Sequence, residues 1–120
     1  MKLSQKQQKF SVLVSKLILW ASENGYGLTF GEAYRTPEQA ALNAQKGSGI
    51  TNSLHTKRLA VDVNLFINGV YQADSAAYKP LGDHWKTLDP DCAWGGDFKD
   101  RNGAPKPDGN HFSLEYEGVK

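Results

Sequence analysis

The run from Leu59 to Ile67, closed by Asn68-Gly69, leaves this chain few folds to choose from. Its alternation puts Leu59, Val61, Val63, Leu65 and Ile67 on one face and Ala60, Asp62, Asn64 and Phe66 on the other, the pattern of a strand with one face in a core. Asn-Gly is the favoured dipeptide of a type I′ turn, so the strand reverses into Val70-Tyr71-Gln72 as a hairpin. Antiparallel pairing is thereby set. Asp62 is the anomaly, because a carboxylate is depleted from strands and is costly near a core unless a partner offsets its lost hydration.

Around this hairpin the chain reads as α+β. Ser4 and Gln7 have the form of a capping box, and Phe10, Leu13, Val14, Leu17, Ile18 and Ala21 recur at helical spacing until Asn24-Gly25 stops them. Leu28 to Arg35 reads as a short strand. Thr36-Pro37-Glu38-Gln39 then supplies an N-cap, a proline at the first helical position and a reciprocal glutamine for a second helix ending near Gly47. Residues 47–53, GSGITNS, form a glycine and serine loop leading to His55. Ser75 to Leu88 can form a helix, with its start blurred by Pro80 and Gly82. Asp89 to Gly109 reads as mostly irregular, and HFSLEY at the end alternates again. The expected architecture is a small antiparallel sheet with the N-terminal and second helices packed on one face.

The 120 residues suit a single domain, residues 1–120, with one core. Lys and Arg number 14 against 13 Asp and Glu, so there is no basic field of the kind nucleic-acid binders use. The single cysteine, Cys92, cannot form an internal disulfide. Lys16 interrupts the VLVSKLILW run, and positions 4 to 9 are polar, which argues for a helix over a signal peptide. No stretch reaches the roughly 20 apolar residues of a membrane span. The expectation is a monomer with no nucleic-acid partner and no membrane insertion.

On a strand, Asp62 points away from the aliphatic face, and His111 opens a second strand whose polar face can lie beside it. His55, Asp62 and His111 can then converge. Two imidazoles and a carboxylate with an open fourth position suit a catalytic zinc ion, whereas structural zinc more often uses cysteines. Zinc acidifies water, and Asp108, three residues before His111, is placed to take the proton. The plain alternatives are a surface histidine for His55, a solvent-facing strand aspartate for Asp62, a turn residue in Pro-Asp-Gly-Asn for Asp108 and a surface ion pair for Arg35. His84 is read as structural or exposed, and Trp20 as core or partly covered surface.

Ser53-Leu54-His55-Thr56-Lys57-Arg58-Leu59-Ala60-Val61-Asp62 resembles the S-x-H-x-x-G-x-A-x-D signature of a zinc peptidase family. That family includes D-alanyl-D-alanine carboxypeptidases, VanX-type dipeptidases and phage L-alanyl-D-glutamate endopeptidases. Asp108-Gly109-Asn110-His111 resembles its second element, Ala33-Tyr34-Arg35-Thr36 its upstream arginine segment, and Trp94-Gly95-Gly96 the segment before the last motif. The elements span Tyr34 to Phe112 in the family's order. Arg58 stands where many members have glycine, a character shared with phage-type members.

The resemblance implies a hedgehog/DD-peptidase-like fold with zinc bound by His55, Asp62 and His111. It implies Asp108 as general base, Arg35 as the group holding the substrate carbonyl and its oxyanion, and Ser53 and Trp94 as substrate-binding or supporting residues. It further implies a peptidoglycan peptidase acting on stem peptides, with the L-alanyl-D-glutamate bond and a phage endolysin role favoured. Such an enzyme is made in the bacterial host cytoplasm and acts on the wall after release. The alternatives are a D-alanyl-D-alanine carboxypeptidase or dipeptidase, and an inactive peptidoglycan-binding or phage structural module.

Overall fold

Helical periodicity near the N-terminus becomes helix α1, Leu3–Glu23, in the computed structural model, which describes residues 1–46 and 53–120. Phe10, Leu13, Leu17 and Ala21 form its buried face, and Asn24-Gly25 ends it with Gly25 at a φ of 81°. The cap differs from the expected Ser4–Gln7 pair. The helix starts earlier, the Lys2 backbone N–H donates to Gln5 Oε1 at 2.9 Å, and Gln7 instead donates from Nε2 to the Lys57 carbonyl at 2.7 Å.

Strand β1, Tyr26–Phe30, is shorter and earlier than the expected Leu28–Arg35. Its pairing with the hairpin strand ends where Gly31 N donates to Asp62 O at 2.8 Å while Asp62 N donates to Glu32 O at 2.7 Å. Two residues thus face one, the pattern of a β-bulge, which bends a strand and re-aims its side chains. Residues 31–36 are thereby released to cross the sheet end.

Thr36 then caps α2, Pro37–Gln45, its Oγ1 accepting from Gln39 N at 3.1 Å. The expected return of the Gln39 side chain to the cap is replaced by a bond to Asn43 Oδ1 at 2.7 Å. The expected loop over residues 47–52, with the end of that helix near Gly47, lies outside the described residues.

The alternating run forms β2, Ala60–Ile67, and turns at Asn68 and Gly69, both at positive φ, into β3, Val70–Gln72. Strand β4, Cys92–Trp94, arises within the stretch expected to be irregular, and β5 is His111–Leu114. Strand order is β1-β2-β5-β4, all antiparallel, with β3 also on β2. A 3₁₀ turn, Ser75–Tyr78, leads into α3, Lys79–Leu88, where Pro80 sits in the first turn and costs no helical hydrogen bond.

Helices α1 and α3 pack together and cover the sheet face carrying Val61, Val63 and Leu65. The second helix was expected beside α1; the structure places α3 there, and α2 contributes only Ala40 to the buried residues. The reason is amphipathicity: α3 brings Leu81 and the fully buried Trp85, whose Nε1 donates to the Ala93 and Ser113 carbonyls at 3.0 and 3.1 Å.

Candidate metal centre

Strand register carries the first two groups of the site. In the β2–β5 pairing Asp62 lies opposite His111, so their side chains share the face turned away from the helices. His55 arrives from a 3₁₀ turn, Leu54–Lys57, capped by Ser53, whose Oγ accepts from His55 N at 3.2 Å. The segment that left β1 crosses this turn, and Arg35 N donates to His55 O at 3.1 Å. Arg58 ends the turn at a φ of 56°, the left-handed region, with its guanidinium 4.1 Å from the centre of the Tyr34 ring. A glycine would meet that backbone requirement without strain.

His55 Nε2 lies 3.4 Å and His111 Nδ1 3.6 Å from the same oxygen, Asp62 Oδ1, and a ligand atom from each of the three can be chosen within 4.8 Å of the others. Nitrogen and oxygen donors around a tetrahedral zinc, at bonds of about 2.0–2.1 Å, stand about 3.3 Å apart. The observed spacing therefore suits a shared small cation. Asp62 Oδ1 is buried and has no hydrogen-bond partner among the described residues, which a cation would supply. The opposite nitrogen of His55, Nδ1, is 3.1 Å from the Ala33 carbonyl. That contact assigns the proton to Nδ1 and leaves the Nε2 lone pair facing the cluster. The donor set fits zinc.

Burial works against the charged form of Asp62, but the His111 and His55 imidazoles facing its Oδ1 hold its carboxyl down at about 2. Burial likewise opposes charge on His55, which Asp62 and the Ala33 carbonyl outweigh, so its imidazole sits above the usual value. Asp108 goes the other way. Although much of that residue is open to solvent, desolvation of its carboxyl in the cavity pushes it up, and the Asp62 charge adds to this against the pull of His111.

Asp108 is fixed by the Trp94-Gly95-Gly96 segment. Its N–H donates to Gly95 O at 2.8 Å, its carbonyl accepts from His111 N at 3.0 Å, and Trp94 Nε1 donates to Gly109 O at 2.7 Å. A Cβ on Gly95 would stand 2.0 Å from the Asp108 carbonyl oxygen, so only glycine permits this approach. Trp94 is buried and does not line the site; it holds the turn bearing Asp108 and His111.

A cavity of about 530 Å³ joins Arg35, Ser53, His55, Asp62, Asp108 and His111. Arg35 donates from Nε to Glu32 Oε1 at 2.8 Å and also from Nη2, while Nη1 is 3.4 Å from Ser53 Oγ. Sequence reasoning missed Glu32, three residues before Arg35, and Phe98, whose ring centre is 5.2 Å from that of His111. It also missed Ser75, whose Oγ accepts from Gly109 N at 3.0 Å. Glu32 had a signal in Gly-Glu-Ala-Tyr-Arg, a charge beside the arginine; the other two become visible only in the tertiary fold. His84 stacks on Trp20 with ring centres 4.3 Å apart, outside the cavity. Cys92 is also outside it and buried, which pushes its thiol up to about 12.

A family profile described as D-alanyl-D-alanine carboxypeptidase matches residues 46–114. Among solved structures, an L-Ala D-Glu endopeptidase of Serratia marcescens, ChiX, superposes with a TM-score of 0.68 at 23% identity, over 88% of this chain and 79% of that one. A D,D-pentapeptidase of a VanB-type vancomycin resistance cassette, VanY, solved as a mutant with Zn(II), gives 0.59 at 18% identity, over 88% of this chain and 70% of that one. At these identities the likeness is one of fold. No curated protein matches.

Proposed function

The chain belongs to the D-alanyl-D-alanine carboxypeptidase family, and from that premise we propose a zinc peptidase that cuts the L-alanyl-D-glutamate bond of peptidoglycan stem peptides. The observation that carries the reading is the convergence of His55, Asp62, His111, Asp108 and Arg35 on one cavity. His55, Asp62 and His111 would hold the metal, which when bound would supply a Lewis acid able to acidify water and polarise a carbonyl. Asp108 accepts the proton of the attacking water and returns it to the leaving amine, a task suited to a carboxyl raised above its ordinary value. Arg35 donates to the carbonyl oxygen as negative charge grows there. Ser53 holds the Nη1 edge of that guanidinium and the backbone of His55.

The wall beside the metal centre supports this choice of substrate. Lys99 and Lys106 line it and have no ion-pair partner among the described residues, so a peptide bearing carboxylates is the complementary ligand. The scissile bond assigned, L-Ala to D-Glu, places a free carboxylate next to the cut. ChiX, the fold neighbour that cuts L-Ala D-Glu, supports the same choice. The setting proposed is a monomeric endolysin of phage type, made in the bacterial host cytoplasm and acting on the wall after release. A second reading, D,D-carboxypeptidase, is favoured by the description of the matching family.

Incubation with Gram-negative sacculi, with and without a chelator, decides between them by mass spectrometry of the released fragments. Chelator-sensitive release of peptides beginning at D-Glu is the expected result. Free D-alanine would move the assignment to the carboxypeptidases, and no release from zinc-loaded protein would remove the peptidase reading.

A further inference from the structure

We propose that Glu32 is a positioning residue that fixes which edge of Arg35 faces the cavity and ties Arg35 to His55; the catalytic part of this rests on the peptidase reading above. One oxygen, Glu32 Oε1, accepts from Arg35 Nε at 2.8 Å and from Nη2, and lies 3.7 Å from His55 Nδ1. The Arg35 side chain is only 15% exposed. Its charge has lost most of its water, and Glu32 is its one carboxylate partner among the described residues.

The backbone anchors the same residues. The Glu32 carbonyl accepts from Asp62 N at 2.7 Å, and Arg35 N donates to His55 O at 3.1 Å. Residues 32–35 therefore form a strap tied by main chain to two of the three candidate ligands and by side chain to each other. The bulge opposite Asp62 is what turns the chain so that Glu32 and Arg35 meet here.

With the Nε and Nη2 edge occupied, only the Nη1 side, next to Ser53, is left to meet a substrate oxygen. A long flexible side chain is thereby held in one orientation before substrate arrives, which is how a donor costs no reorganisation during reaction.

The test is a double-mutant cycle on zinc-loaded protein with a soluble stem peptide, using Glu32→Ala, Arg35→Ala and the pair, with Glu32→Gln as the variant that keeps an oxygen acceptor. Glu32→Ala should lower kcat about 10- to 100-fold with KM within about threefold. The pair should be no slower than Arg35→Ala alone, because Glu32 acts through Arg35. Glu32→Gln should recover part of the loss. Losses that multiply in the pair, or a Glu32→Ala kcat within about twofold of wild type, would overturn the proposal.

A readout free of turnover separates this from the peptidase reading. The Arg35 Nε–H resonance should be slow to exchange in wild type and in Glu32→Gln, and fast in Glu32→Ala. If wild type cleaves nothing while that pattern holds, the peptidase reading fails and the clamp stands. Equal protection in Glu32→Ala sinks the clamp whatever the activity.

Discussion

Asp62 meets two imidazoles through a single buried oxygen, so the metal-free protein should carry its titration as stability. The folded carboxyl sits at about 2 against an ordinary 3.8. Its contribution, about 2 kcal/mol at 1.36 kcal/mol per unit, is therefore complete above pH 3.8 and lost as pH falls through the folded value. His55 has the opposite sign: its raised folded value adds stability below the ordinary 6.5, lost as pH rises through the folded value. Denaturant unfolding of chelated protein should thus show this term at its largest between pH 3.8 and 6.5. Asp62→Asn should flatten that maximum, and an unchanged profile would mean that Asp62 and His55 are not coupled. In the zinc-loaded protein, Asp108→Asn should cut kcat by about 10²–10⁴ while zinc affinity, read by competition with a chromophoric chelator, stays near wild type. A carboxylate planted in an apolar alternation announced itself in the sequence, and so did His111 once placed on a strand, whereas His55 sits in a 3₁₀ turn that periodicity does not mark. Glu32 showed only as a charge near Arg35, and its role stayed hidden because it depends on a bulge that pairs two residues with one. Arg58 carried a hidden signal: a residue standing where many members of the resembled family have glycine sits at a left-handed φ.

At the scale of elements, β2 does most of the placing. Its inner face gives the core Val61, Val63 and Leu65, and its outer face gives the site Asp62, so one register fixes both. The hairpin was legible because Asn68-Gly69 has a mechanism. Strand β4 was not, since three residues in a Gly- and Pro-rich stretch hold a strand conformation only through their pairing with β5. The same stretch builds the lysine-bearing wall. Asp100 Oδ1 accepts from Asn102 N at 2.8 Å and Ala104 N at 3.0 Å, closing a loop whose stems meet where Lys106 N donates to Phe98 O at 2.8 Å. Lys99 and Lys106 are thus presented on an ordered loop. Lys106→Glu combined with Lys99→Glu should raise KM for an anionic stem peptide by about tenfold or more with kcat nearly unchanged, and the effect should shrink at high salt. A kcat loss at constant KM would place these lysines in the chemistry instead of in recognition.

Across the whole molecule, the metal site and the core share their strands, so occupancy should be felt as global stability. His111 opens β5, β5 pairs with β4, and β4 carries Cys92 under α3 and beside the α1 contacts Lys6–Asp91 and Lys9–Asp89. The thiol is buried and held at about 12, so native protein at pH 8 presents almost no thiolate to an alkylating reagent. Labelling of Cys92 should then require opening of the β4–β5 edge. If that opening also separates His111 from Asp62, zinc must leave first, and ligand bound only to the native state slows labelling by one plus its concentration over Kd. At a free zinc concentration of 100 Kd the rate of iodoacetamide labelling should fall about 100-fold, somewhat less where unfolded His and Cys also bind zinc. Zinc-independent labelling would mean that β4 opens locally with the site intact. A full effect would make the catalytic ion a structural element of the fold as well, binding together a sheet whose two central strands carry two of its three ligands.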